Sequence, residues 1–316
     1  MMITLLKRVI QLQNQYRLIA GISIGVATFA ICILLSSSLI SGHSNERLLY
    51  ALSDQTNNQS ISVLNKKGLD LINSASYNEA ITYFDKALAI NLNDTTALNY
   101  KGLALLQLGK YNEAIKYFDK ALAVDPNDAI VLNDKGFALY SLGKYNEAIS
   151  YYDNALAIRP NYATALNNKG IVLNDLGNYS GAITSYDKSL AINPNDTTTL
   201  DNKGLTLIKL GKYNEAIPYF DKALAIDPNK TKALNGKGLV LLDLGKYNES
   251  IPYFDKALSI NPNDVDSLNN KGVALADLGK FYEAIKYVDK ALAIDPNDAT
   301  TLDNKNKILG ASGKQK

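Results

Sequence analysis

The stretch "LGKYNEAIKYFDKALAVDPND" at 108–128 returns in nearly the same words at 142–162, 210–230, 244–264 and 278–298. A chain that repeats itself at a fixed interval must make the same local structure many times and bury each copy against its neighbours, so a stacked array is favoured over a globule with one unique core. Aligned on itself, the sequence divides into seven units of 34 residues, at 61–94, 95–128, 129–162, 163–196, 197–230, 231–264 and 265–298, with a half-unit at 299–316.

Each unit holds two helical patterns. In the second unit "ALNYKGLALLQLG" places Leu98, Gly102 and Leu105 at i, i+4 and i+7, and "NEAIKYFDKALAV" places Ala114, Ile115, Phe118, Ala121 and Leu122 at three- and four-residue steps. The connection "GKY" is short, which makes the two helices antiparallel neighbours. Gly109 stands where a helix end needs a left-handed residue, and Pro126 stands where the second helix must stop. No alternating strand pattern occurs, so the fold class is all-α.

Gly102 at position 8 of its unit, Gly109 at 15, Tyr111 at 17, Ala114 at 20, Phe118 at 24, Ala121 at 27 and Pro126 at 32 follow the tetratricopeptide pattern at the tetratricopeptide period. The chain therefore resembles the tetratricopeptide repeat family over residues 61–298. That resemblance implies a right-handed superhelix of stacked antiparallel helix pairs, an inner face that holds protein or peptide partners, and no cofactor or catalysis of its own. There are departures from the family pattern. Position 4 is leucine in every unit (Leu64, Leu98, Leu132, Leu166, Leu200, Leu234 and Leu268), position 7 is lysine throughout, and the first unit has Ala75 and Leu92 where a turn glycine and a proline are expected. Pro218 and Pro252 fall inside second helices, where each removes one backbone donor and predicts a slight bend.

The N-terminus differs in composition. Residues 18–41, "LIAGISIGVATFAICILLSSSLIS", carry no charge and are long enough to span a bilayer as one helix, which needs roughly 20 apolar residues. Two readings stand: an uncleaved anchor contacting membrane lipid, or a cleaved signal peptide and a secreted protein. Lys7, Arg8 and Arg17 precede the span and only Arg47 closely follows it, so residues 1–17 are expected inside and the array outside the cytoplasm, at the cell membrane. Gly21 and Gly25 form a GxxxG pair that would let two such helices approach as a homodimer; ordinary small residues of a membrane helix are the plainer reading. Residues 42–60 read as a polar linker, and 299–316 as a capping helix that gives way to glycine, serine and lysine.

Composition removes several function classes. Lysine and arginine number 33 against 31 acids, with no basic excess to hold nucleic acid. Cys32 and His43 are single, which rules out disulfides within the chain, cysteine zinc sites and histidine triads. "DPND" resembles a calcium loop, but counting from Asp125 the sixth residue is Ile130 and the twelfth Gly136, where the motif needs glycine and glutamate. Among the Asn-x-Ser/Thr sequons, Asn58 in the expected linker is the best glycosylation candidate.

Binding is expected on the inner face of the first helices. Position 5 carries Asn65, Asn99, Asn133, Asn167, Asp201, Asn235 and Asn269, a ladder whose carboxamides can both donate to and accept from an extended peptide. Tyr100, Tyr140, Asp175, Lys209, Asp243 and Asp277 lie at positions that vary between units and would set selectivity. The competing reading is that the asparagines merely satisfy neighbouring helix ends and that the polar face binds nothing specific. Two other roles stay open: an accessory or substrate-delivering subunit of a partner enzyme such as a glycosyltransferase, and a self-assembling structural protein.

Overall fold

The structure, a computed structural model, describes residues 42–313, with side chains from residue 53. Among them are fifteen α-helices and no strand. They form two compact units that divide after Ile158. The first holds α1 (Gly42–Asn73), α2 (Tyr77–Ile90), α3 (Thr95–Gln107), α4 (Tyr111–Val124), α5 (Ala129–Ser141) and α6 (Tyr145–Ile158). The second holds α7 (Ala163–Asp175), α8 (Tyr179–Ile192), α9 (Thr197–Lys209), α10 (Tyr213–Ile226), α11 (Thr231–Asp243), α12 (Tyr247–Ile260), α13 (Val265–Asp277), α14 (Phe281–Ile294) and α15 (Ala299–Gly313). Odd-numbered helices are the first of each pair and even-numbered the second; within each unit they pack as tetratricopeptide-type pairs on one another.

Each joint in the chain has a local cause. Gly109 takes φ +72°, and the N–H groups of Gly109 and Lys110 return to the carbonyls of Leu106 and Leu105 at 2.9 Å, closing α3. Ala75 adopts the same left-handed turn at φ 57° without the freedom of glycine. The "DPND" segment is a junction between helices: Asp125 Oδ1 accepts from the N–H of Asn127 at 3.0 Å, and Asp128 caps α5 through the N–H of Ile130 at 2.8 Å. Both α10 and α12 run unbroken through their prolines.

The core is set by contact between small and aromatic residues. A Cβ added to Gly102 would lie 2.5 Å from Phe118 Cε1, and one added to Gly204 2.6 Å from Phe220 Cζ, so position 8 is glycine because the position-24 ring occupies its space. Phe84, Phe118, Phe220 and Phe254 are fully buried, flanked by the position-20 and position-27 small residues.

Three expectations need adjustment. The membrane span at 18–41, with Gly21 and Gly25, lies outside the described residues, and among the described residues no helix is long and apolar enough to cross a membrane. Residues 42–60, expected as a polar linker, are helical: they form one helix with the first unit's opening segment, because 43–67 contain neither glycine nor proline and Ile61 and Leu64 anchor the far end in the core. Asn58 is accordingly exposed on α1 and not in a loop. The C-terminal cap is helical as far as Gly313.

Candidate functional site

The asparagine ladder is the first site to place, and most of it is buried. Asn65, Asn133, Asn167 and Asn269 are each at most 8% exposed. Their amides bind the protein itself. Asn65 Nδ2 donates to Asp94 Oδ1 at 2.8 Å, and Asn133 Nδ2 to Asp134 at 3.1 Å. Asn167 Oδ1 accepts from Asn202 Nδ2 at 3.0 Å and from Thr199 Oγ1 at 3.1 Å. Asn235 and Asn269 accept in the same way from Asn270 and Asn304, both at 3.0 Å. At Asn167, Asn235 and Asn269 position 5 of one repeat thus bonds to position 6 of the next, joining adjacent first helices. Asn99 and Asn235 are half-buried, and the Oδ1 atoms of Asn65 and Asn99 have no hydrogen-bond partner.

One rung of this ladder is different. Asp201 replaces asparagine, is fully buried, and neither of its oxygens accepts a hydrogen bond. The residue at position 6 of the following unit is Gly236, which has no side chain to offer; a Cβ there would sit 2.4 Å from Phe220. Lys230 Nζ stands 3.6 Å from Asp201 Oδ2 and donates to Thr197 Oγ1 at 2.9 Å. Burial pushes the Asp201 carboxyl up to about 6, against the pull of Lys230 and Lys232. Lys230 also occupies the place where Asp94, Asp128, Asp196 and Asp264 cap their helices, so α11 begins without a side-chain cap.

A second network was not foreseen from the sequence. The position-7 lysines Lys101, Lys135, Lys203, Lys237 and Lys271 each reach the aspartate of the preceding second helix: Asp85, Asp119, Asp187, Asp221 and Asp255. Lys135, Lys203 and Lys271 also donate to the hydroxyls of Tyr151, Tyr219 and Tyr287 at 2.6–2.7 Å. Burial opposes their charge, yet aspartate and tyrosine outweigh it and hold Lys101, Lys135, Lys203, Lys237 and Lys271 above the ordinary lysine value. At the end of the chain Lys305 on α15 pairs with Asp289 at 2.8 Å, so the half-unit completes the row. The signal was in the sequence as a lysine and an aspartate 16 residues apart in successive units.

The variable positions face outward more than the ladder does. Tyr100 stacks on Phe84 with centroids 6.0 Å apart, and Tyr140 packs between Phe137 and Tyr145 at 6.2 and 5.8 Å. Asp175 accepts from Asn174 Nδ2 at 3.1 Å, and Lys209 Nζ lies 5.8 Å from the Tyr179 ring. Asp243 and Asp277 are exposed, and partial burial raises both carboxyls. Among the described residues no three histidine, cysteine or acidic side chains are grouped to hold a metal.

Antiparallel helix pairs repeated along the chain, each buried on its neighbours, define a helical-repeat protein. The chain belongs to the tetratricopeptide repeat family: models described as tetratricopeptide repeat match residues 96–128, 127–195, 161–229, 202–265 and 236–299, together more than half of the sequence. Proteins of this class are generally non-enzymatic scaffolds. No curated protein matches the chain. Among solved structures, a tetratricopeptide repeat protein from Parabacteroides merdae ATCC 43184 is 18% identical with a TM-score of 0.62, covering 79% of this chain and 99% of its own. Pseudomonas aeruginosa pilF is 20% identical with a TM-score of 0.60, over 67% and 96% of the two chains. At these identities the likeness is one of fold. YrrB, described as a tetratricopeptide protein with an unusual peptide-binding site, is 28% identical over 60% of this chain and 97% of its own, with a TM-score of 0.47.

Proposed function

We propose that the chain is a scaffold that holds protein or peptide partners on the side of its first helices not covered by second helices. The observation that carries this reading is the contrast between positions. The ladder and the lysine row are consumed internally, whereas position 9 leaves Leu69, Leu103 and Phe137 in the first unit and Leu205, Leu239 and Val273 in the second only half-buried, beside neighbours that change from repeat to repeat. Half-buried apolar side chains on a rigid framework are what an extended segment would cover at little ordering cost. The reading contains no catalytic step.

The test is capture with the full chain in mild detergent. Leu103→Lys and Leu239→Lys should keep the helical circular dichroism and lose the partner; capture unchanged in both variants refutes the site. For location we propose an anchor at residues 18–41 with the array outside the cytoplasm, supported by the uncharged run and the basic residues before it. In intact cells, Gln315→Cys should react with an impermeant thiol reagent. Protection of that cysteine would place the array on the inner side.

A further inference from the structure

Asn-x-Ser/Thr sequons occur at Asn58, Asn93, Asn178, Asn195, Asn229 and Asn248, and the structure separates them into two groups. Transfer of a sugar to asparagine needs two groups accessible together: the carboxamide that takes the sugar, and the hydroxyl two residues later that the transferring enzyme reads. One group of sequons lacks this. Asn58 lies inside α1, and its Ser60 is 2% exposed, with Oγ donating to the Thr56 carbonyl at 2.9 Å. Asn248 lies in the first turn of α12, and its Ser250 is fully buried, with Oγ donating to the Tyr247 carbonyl at 2.8 Å. Asn178 caps α8, its Oδ1 accepting from the N–H of Gly181 at 3.0 Å.

The other group has a different setting. Asn93, Asn195 and Asn229 are exposed in the turns that join α2 to α3, α8 to α9 and α10 to α11. Each turn is closed by its own backbone: the N–H groups of Asp94, Asp196 and Lys230 donate to the carbonyls of Asn91, Asn193 and Asp227 at 3.2, 3.3 and 3.2 Å. The N–H groups of Asn93 and Asn229 also donate to Asn91 Oδ1 and Asp227 Oδ1, both at 3.0 Å. The carboxamides of Asn93, Asn195 and Asn229 make no hydrogen bond among the described residues. Their hydroxyl partners are Thr95, Thr197 and Thr231, half-buried at the first position of α3, α9 and α11. Asparagine at position 33 recurs in every repeat, as a turn residue does, and by itself marks nothing. The threonines do not recur: Ala129, Ala163, Val265 and Ala299 stand at the same place in the other repeats. Nor does the fold depend on them, since Asp94 and Asp196 cap α3 and α9, and the hydroxyls of Thr95 and Thr231 have no partner among the described residues.

We propose that Asn93, Asn195 and Asn229, in place of Asn58, are sites of N-glycosylation. The sugar donor is a saccharide carried on a lipid pyrophosphate. Asparagine Nδ2 forms a bond to the anomeric carbon, the bond from that carbon to the pyrophosphate oxygen breaks, and the lipid pyrophosphate leaves with the electron pair. One amide proton passes to a carboxylate of the transferring enzyme. The proposal rests on the reading that places the array outside the cytoplasm.

The test is peptide mass spectrometry on the full chain purified from the membranes of the cell that makes it. Peptides containing Asn93, Asn195 and Asn229 should carry sugar mass increments, and those containing Asn58, Asn178 and Asn248 should carry none. Thr95→Ala and Thr231→Ala should each strip the sugar from the asparagine two residues earlier and leave the other sites loaded, whereas Thr95→Ser should keep it. Circular dichroism should not change, because alanine holds this place in other repeats of the same chain. Bare asparagine at all of Asn93, Asn195 and Asn229, sugar on Asn58, Asn178 or Asn248 instead, or sugar on Asn93 that survives Thr95→Ala overturns the proposal. Impermeant labelling of Gln315→Cys tells two failures apart. Bare sites on a chain labelled from outside remove the glycosylation inference and leave the topology standing; bare sites on a protected chain remove both.

Discussion

The Asp201–Lys230 junction allows a stability test whose sign is set by the structure. Asp201→Asn restores the residue that every other unit carries and removes a buried charge. The carboxyl is raised from 3.8 to about 6. At roughly 1.4 kcal/mol per pKa unit, that sets an upper limit of about 3 kcal/mol on the gain at neutral pH, and relaxation around buried ions brings the expectation to about 1–3 kcal/mol. Lys230→Asp alone faces a second carboxylate against Asp201 and should cost about 2 kcal/mol or more. On the Asp201→Asn background the same substitution should stabilise. It would recreate the pair seen at Asn65 and Asp94, where the amide donates at 2.8 Å and Asp94 also caps α3 through the N–H of Ala97 at 2.7 Å. A cap and a hydrogen bond contribute about 1 kcal/mol each. Lys230→Asp thus reverses sign with its background, an interaction energy of roughly 3–4 kcal/mol. Urea unfolding of the full chain by far-ultraviolet circular dichroism measures it, fitted with a nearest-neighbour description because stacked repeats need not unfold in one step. If Lys230→Asp changes stability equally in both backgrounds, within about 0.5 kcal/mol, the two side chains are not coupled and the reasoning fails.

The same geometry sets the response to other perturbations. Burial raises Asp201 and Asp134 to about 6, so the folded state holds protons that the unfolded chain releases near 3.8. Their contribution to stability is therefore fullest below about 4 and is lost as pH rises through 6; urea midpoints should be higher at pH 5 than at pH 7.5, and Asp201→Asn should flatten that slope. Gly102→Ala should cost about 1–3 kcal/mol by overpacking and be partly rescued by Phe118→Leu, whereas Gly109→Ala, with open space and φ +72°, should cost about 1–2 kcal/mol with no rescue. Lys203→Ala should cost about 1–2 kcal/mol, mainly through its packed stem, and 1 M salt should remove little of that stability, since Asp187 is exposed. Asn167→Ala should cost about 1–3 kcal/mol by leaving Asn202 Nδ2 without its acceptor, visible as a lower urea midpoint with or without a partner present.

Much of the fold is legible in the sequence because its determinants repeat in phase. The turn at Gly109, the glycine of position 8 against the ring of position 24, and the capping aspartates each recur at the interval of the alignment, so one unit interprets the rest. Contacts out of phase are harder to see. Lys203 meets Asp187 on the preceding second helix 16 residues away, a spacing that recurs in the sequence but crosses the boundary between aligned units, so reading one unit at a time shows the lysine only as a departure from leucine. Asn202 meets Asn167 across 35 residues, one step off the period, so an alignment that stacks asparagine on asparagine hides the bond between them. Residues 42–60 pass for a linker for a different reason. A helix without an apolar stripe gives no periodic signal, and only the lack of a breaker before Gly68 marks this segment as continuous with the rest of α1.

The burial of the position-5 row also moves the question of selectivity. A side chain already bonded to the next helix cannot change partners without losing that bond, so Asn167, Asn235 and Asn269 hold the array in register and are poor levers for discriminating ligands. Substituting them would weaken binding and packing together. Position 9 is free of that constraint, because its apolar side chains make no hydrogen bond to the neighbouring helix and stay half-buried. Asp201 is set apart from the row: with its rung missing at Gly236, its charge is compensated by Lys230, whose own place is that of the capping aspartates Asp94, Asp128, Asp196 and Asp264. The two departures compensate each other in charge but not in hydrogen bonding. A junction kept in that state, when asparagine and aspartate at the same positions serve elsewhere in the same chain, is a place where sequence has been diverted from stability.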